Sequence, residues 1–275
     1  MSVMRARMAF AMNAPALRSG AAVVPPWTPL DLGAALKAWW NADDHGTARM
    51  TDDGAGLISS WTDKVGSMAI AGATTARPTW SATSFNTSYA GLTFNGTANA
   101  LSSTTLTTLP TGATAGELWA LLTQLMPVGT AGIKHAVAYG INNPSAARIL
   151  GRAVATLNRI IVSEAATTIT DTLIDFSSPA IVGGAWSGTS MTARANGAAT
   201  TPASAVIAAL NTSTTRFVIG ASSSLTAFAN VVVRHVFVTT TLTTLQRQQL
   251  EGWLAWDSAL TSLLPAGHPY KGARP

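Results

Sequence analysis

The sequence predicts an all-β fold, a sandwich of two antiparallel sheets with one α-helix near the end of the chain. Three observations carry this. Short β-branched or alternating runs recur from Leu32 to about residue 240, with turn clusters between them. No long helical pattern alternates with those runs, which argues against a parallel α/β sheet. Charged residues make up only 11% of the 275 residues, less than half of the roughly 25% usual in soluble domains. The surface is then built from Thr, Ser, Asn, Gln and Gly, which suits β-rich proteins that pack against neighbours.

Residues 1–30 read as an extended arm. Arg5, Arg7 and Arg18 precede a stiff stretch with Pro25, Pro26 and Pro29, and no acid occurs before Asp31. The apolar patch Met8–Met12 loosely resembles a cleaved leader, but Asn13 and Pro15 interrupt it early, which favours an arm over that reading. The arm is therefore expected to dock onto another subunit. Residues 31–275 form the globular part. It opens at Leu36-Lys37-Ala38-Trp39-Trp40, where a strand period of two sends the two indoles to opposite faces.

Further strands are expected at Gly91–Phe94, Leu118–Met126, His135–Ile141, Arg159–Ser163, Met191–Ala195, Arg216–Ile219 and Val231–Val238. Asn142-Asn143-Pro144, Asn196-Gly197 and Ala221–Ser224 mark turns. The Thr/Ala-rich stretches 102–114 and 198–214 read as loops and edge strands. The helix is expected from about Thr243 to Leu260. Thr243 and Gln246 have capping-box spacing, and Leu245, Leu250, Trp253, Leu254 and Trp256 supply apolar positions. Gly252 costs about 1 kcal/mol relative to Ala and is expected to let the helix approach the sheet closely.

Several chemistries are excluded or weakened. There is no cysteine, so disulfides and thiolate chemistry are absent. No apolar run reaches the length of a membrane span. The net charge is +5, but the arginines are scattered, without a basic run interleaved with aromatics, so no nucleic-acid groove is read. A sandwich glycosidase needs two carboxylates flanking the scissile bond. Glu117, Glu164 and Glu251 lie far apart in sequence, and Asp171 and Asp175 read as turn residues, so the chain is read as not an enzyme. None of His45, His135, His235 and His268 lies near a Gly-x-Ser-x-Gly elbow.

Two groups remain as candidate sites. Asp43, Asp44 and Asp63 belong to the densest acid cluster and are the candidate ligands for Ca²⁺, the one cofactor considered. The competing reading is a solvated loop in which Asp43 or Asp63 accepts backbone bonds at turns. Of the nine Trp, Trp80, Trp119 and Trp186 are candidate sugar platforms. The commoner role of Trp, filling a core, is the alternative.

Three ordered segments carry a resemblance. The first is Leu36-Lys37-Ala38-Trp39-Trp40-Asn41-Ala42-Asp43-Asp44, with Trp61-Thr62-Asp63-Lys64-Val65-Gly66 after it. The second is Arg77-Pro78-Thr79-Trp80, with Gly91-Leu92-Thr93-Phe94-Asn95-Gly96. The third is Glu251-Gly252-Trp253-Leu254-Ala255-Trp256, closing with Leu264-Pro265-Ala266-Gly267-His268-Pro269-Tyr270-Lys271. Together they resemble the concanavalin A-like (LamG-like) jelly-roll domains of bacteriophage and prophage virion proteins. The resemblance spans about residues 32–272.

It implies a structural protein of a phage particle, either a head decoration or fibre or a tail component. Such a protein would be made in the host cytoplasm and carried on the virion. Its implied partners are other virion proteins, met through the arm with Arg5, Arg7 and Arg18, further copies of itself, and host surface polysaccharide. The alternative is a carbohydrate- or receptor-binding module with no role in assembly, and a polysaccharide-degrading enzyme stands third, disfavoured by the missing carboxylate pair. The chain departs from the family at Arg234 and His235, where an acid is common.

Overall fold

The computed structural model describes residues 26–124, 134–141, 146–153, 159–164, 167–175 and 178–275. Arg5, Arg7, Arg18 and the turn expected at residues 142–144 lie outside the described residues.

Seventeen strands form among the described residues. They are β1 (Leu36–Asn41), β2 (Met50–Asp52), β3 (Ile58–Thr62), β4 (Ala69–Ala71), β5 (Thr79–Phe85), β6 (Tyr89–Asn95), β7 (Leu101–Ser103), β8 (Gly116–Gln124) and β9 (Lys134–Gly140) in the first half. The second half holds β10 (Ala147–Ala153), β11 (Arg159–Glu164), β12 (Thr167–Asp175), β13 (Ala180–Ser187), β14 (Ser190–Ala195), β15 (Ala198–Val206), β16 (Phe217–Ile219) and β17 (Asn230–Thr239). One sheet runs β15-β14-β13-β8-β17-β6-β5, and the other β12-β11-β10-β9-β16-β7-β4-β3-β2. Strand β1 pairs antiparallel with the second half of β17, and β6 with its first half. This is the two-sheet antiparallel jelly-roll sandwich expected from the sequence. Asp171 and Asp175, expected in turns, lie instead within β12. Thr172, Leu173 and Ile174 between them continue the strand. Residues 198–206 do form an edge strand.

The space between the sheets is filled by apolar side chains, among them Trp40, Trp61, Phe94, Tyr139, Trp186 and Phe217. Trp40 stacks on Phe217 with ring centroids 4.7 Å apart. Burying a side chain of Val, Leu or Phe size stabilises by about 1.5–3 kcal/mol. A second apolar layer forms on the outer face of the first sheet. There α1 (Thr244–Asp257) packs Leu250 and Leu254 against Trp39, Trp119 and Phe237. Trp39 and Trp40 thus divide between the two layers, as alternation requires.

The central strand breaks that alternation once. Val231, Val233, Val236 and Val238 face the inner layer, and Val232 and Phe237 the outer one. The register against β8 shifts between Val233 and His235. Such a bulge inserts one residue and re-aims its neighbours, so Arg234 and His235 both reach the outer layer.

Helix α1 starts where its capping box predicts. The Thr243 hydroxyl accepts from the Gln246 amide, and the Gln246 side chain accepts from the Thr243 amide. Gly252 does not serve the sheet. A Cβ there would lie 2.5 Å from the Cβ of Tyr270, so the missing side chain admits the closing tail. The Asn196-Gly197 turn joins β14 to β15 with φ of 51° and 82°, the positive values that a two-residue type I′ hairpin demands.

Candidate functional site

Three buried acid–arginine clusters tie α1 and the tail to the outer face of the first sheet. Glu117 on β8 is fully buried. It accepts from the Leu242 amide at 2.9 Å, from Trp119 Nε1 at 2.9 Å and from Arg247 Nη2 at 2.6 Å. Glu251 is also fully buried. Arg194 on β14 holds it through Nε at 2.7 Å and Nη2 at 3.1 Å, and His268 lies 3.4 Å away. Each carboxylate sits where removing its partner would leave a buried charge.

The third cluster opens to solvent. The Arg234 side chain is only 3% exposed, whereas Asp43 is 46% and Asp257 24% exposed. Arg234 grips Asp43 with both terminal nitrogens, each at 2.9 Å. Its Nη2 also donates to Asp257 Oδ2 at 2.7 Å, and its Nε to Ser258 Oγ at 2.8 Å. The guanidinium lies 5.0 Å over the Tyr89 ring. His235 Nε2 is 2.9 Å from Asp257 Oδ2. Full burial pushes the His235 pKa down, against the pull of Asp257. The ring is therefore neutral, and Nε2 carries the proton that Asp257 accepts. Burial alone would raise the Asp257 pKa, but His235 and Arg234 outweigh it and hold the carboxyl well below the usual range.

Beside Asp257 lies a cleft of about 90 Å³ whose walls include Trp27, Trp253, Trp256 and Arg274. Trp253 and Trp256 are three apart, which puts them on one side of the helix. Trp253 meets Trp39 edge-on, with centroids 5.5 Å apart. Trp256 Nε1 donates to the Tyr270 carbonyl at 2.9 Å. Trp27 is brought in by its amide, which donates to the Pro275 carbonyl at 3.3 Å. The Arg274 guanidinium lies 5.9 Å over Trp256. The bonds to Asp257 from described side chains all fall on Oδ2. Indole faces offer apolar contact to a ring, and the ionised carboxylate offers an acceptor for hydroxyl or ammonium donors.

The sugar platforms expected from the sequence lie elsewhere. Trp119 and Trp186 are each 1% exposed. Trp119 is held by Glu117, and Trp186 fills the inner layer, so neither presents a face to a ligand. Trp80 is half-buried. Its Nε1 donates to the Ala42 carbonyl at 2.9 Å, and His45 stacks on its ring at 3.7 Å. His45 is tied in turn to Asp52 at 2.7 Å, which lowers the Asp52 pKa.

The calcium site expected from Asp43, Asp44 and Asp63 does not form. Asp43 is taken by Arg234, and Asp44 by Lys64 at 2.5 Å. Asp63 accepts the amides of Val65, Gly66 and Met68 at 2.7–2.8 Å, which makes the Asp-Lys-x-Gly segment a structural turn. Among the described residues no three His, Asp or Glu side chains converge as metal ligands, and no helix is long and apolar enough to cross a membrane. The cleft was missed because Trp27 reads as part of the arm and Trp253 and Trp256 read as core. The available signal was the run Trp253-Leu254-Ala255-Trp256-Asp257, two indoles on one helix face followed by an acid.

No protein-family model matches the sequence, and no curated protein matches it. Solved structures do share the fold. An α-L-arabinofuranosidase of family GH54, soaked with a cyclic sulfate inhibitor, superposes with a TM-score of 0.59 at 12% identity, over 82% of this chain and 59% of that one. The Trypanosoma rangeli sialidase superposes with a TM-score of 0.57 at 14% identity, over 82% of this chain and 33% of that one. This chain therefore spans less than two thirds of either enzyme, and at such identities the likeness establishes the fold.

The comparisons correct two expectations. These neighbours are carbohydrate-active enzymes rather than phage particle proteins, which overturns the reading as a head decoration, fibre or tail component. They also overturn the exclusion of enzymatic activity. That exclusion rested on carboxylates being far apart in sequence, and folding brings Asp43 and Asp257 onto one guanidinium.

Proposed function

We propose that this chain is a carbohydrate-binding β-sandwich whose saccharide site is the cleft of Trp27, Trp253 and Trp256. The carrying observation is that three indoles and the ionised carboxylate of Asp257 line one cleft. The sandwich shared with two glycosidases supports the same reading. Sugar C–H faces pack on indoles, and sugar hydroxyls donate to a carboxylate. Screening the whole chain on a glycan array, followed by titration calorimetry, tests it. Trp256→Ala should weaken binding about tenfold, on the order of 1.4 kcal/mol, and a thermal melt checks that the fold survives the loss of its bond to Tyr270. Failure to bind any glycan at millimolar concentration, or unchanged affinity in Trp256→Ala, would sink the assignment.

Hydrolysis of a glycoside is the second reading, favoured by the meeting of Asp43 and Asp257. Since Asp257 is held ionised, it would act as nucleophile or base and not as proton donor. Release of reducing ends from the oligosaccharides that bind separates the two readings.

A further inference from the structure

We propose that the cleft selects a saccharide carrying a protonated amino group, a 2-amino-2-deoxy sugar, over its neutral or acidic counterparts. This rests on the cleft being the saccharide site. Three features point to a cationic ligand. The first is charge. Arg234 brings one positive charge to two carboxylates, Asp43 and Asp257, and of these three groups Asp257 lines the cleft, where the facing cation is Arg274. The second is the wall. Indole faces attract ammonium groups through the ring quadrupole. The third is Arg274. It is exposed, pairs with no acid among the described residues, and already lies over Trp256.

The Arg274 cation thus occupies one indole face, held there by a weak contact that a ligand can displace. A sugar ammonium in its place would lie over Trp256 in a cleft that Asp257 also lines, and no described side chain engages Asp257 Oδ1. An acidic sugar would bring its own carboxylate beside that of Asp257, which lines the cleft. A plain hydroxyl would forgo both the indole attraction and the charge-assisted hydrogen bond.

Titration of the whole chain with oligomers of glucosamine, and with the same oligomers fully N-acetylated, tests this. Acetylation removes the charge and keeps the backbone. The amine form should bind at least about tenfold more tightly at low salt, and its advantage should shrink as salt screens the charges. Arg274→Ala should tighten binding of the amine form about two- to fivefold, because the competing cation is gone, and leave the melting curve unchanged. Equal or tighter binding of the acetylated oligomer, lost in Trp256→Ala, would overturn the amino-sugar selectivity and leave the saccharide site standing. Binding of neither oligomer, together with a blank glycan array, would overturn both.

Discussion

The two hydrophobic layers of the molecule are closed by different forces. Between the sheets the layer is apolar and aromatic, and its charged member Arg148 is held without an acid among the described residues. The Arg148 Nε donates to Thr212 Oγ1 at 3.0 Å, Nη2 donates to the Thr114 carbonyl, and the guanidinium packs 5.3 Å from the Tyr139 ring. Beneath α1, by contrast, the apolar residues are ringed by Glu117–Arg247, Glu251–Arg194 and Asp257–Arg234–Asp43. Those pairs join residues 23 to 191 positions apart in sequence. Strand alternation closes the inner layer, because hydrogen-bonded ladders already fix where each side chain points. A single helix on a sheet has no ladder to fix its position, and directional ion pairs supply that registration at a desolvation cost.

The contrast can be broken most strongly at Arg234. Replacing it with Met leaves two carboxylates without their cation and should cost about 3–5 kcal/mol in urea unfolding. A loss under about 1 kcal/mol would mean that the apolar contacts of α1 register it alone. Acid separates the regions next. His135, on β9 and away from the three clusters, has no acid partner among the described residues, and burial lowers its pKa to about 4. The unfolded chain binds that proton near pH 6.5, so stability is full above about 6.5 and falls by about 3 kcal/mol as pH drops toward 4. His235, with its pKa also lowered, adds a loss in the same direction. The depressed carboxyl of Asp257 adds another below the ordinary carboxylate range. Melting temperatures from pH 7.5 to 4 should therefore decline, and His135→Gln should flatten the decline. An unchanged slope would assign the acid sensitivity to the clusters.

The smallest effect is expected at the seam of the outer layer. Gly183 is paired with Trp119 across β13 and β8, and a Cβ there would lie 2.4 Å from the indole ring. Trp119 is pinned by Glu117 and cannot easily move. Gly183→Ala should cost about 1–3 kcal/mol, read as a lower denaturation midpoint. A neutral result would show that the indole is free to shift despite its bond to Glu117.

Local information carried most of the fold. Val231–Val238, Met191–Ala195 and Gly91–Phe94 announce strands by period and β-branching. Asn196-Gly197 announces its hairpin because few residues accept positive φ, and Thr243–Gln246 announces the helix start because a first turn must cap its own amides. The candidate site was largely hidden. Trp119 and Trp186 look the same in sequence as Trp253 and Trp256, since an indole fills a core or lines a cleft with equal ease. Asp43, Asp44 and Asp63 look like a ligand set because their adjacency is visible, whereas their separate partners Arg234, Lys64 and the Val65–Met68 backbone are not.

By itself the sequence determined the all-β class, the split of Trp39 from Trp40, and the capped helix that closes the chain. These follow from periodicity and local hydrogen bonding, which act over a few residues. Only the tertiary structure decided where Arg234 and His235 point, because a one-residue bulge on β17 is set by pairing with β8 and has no local signature. Only it brought Trp27 from the start of the described chain and Arg274 from its end to the same cleft. Contacts between residues that far apart depend on the closure of the whole sandwich.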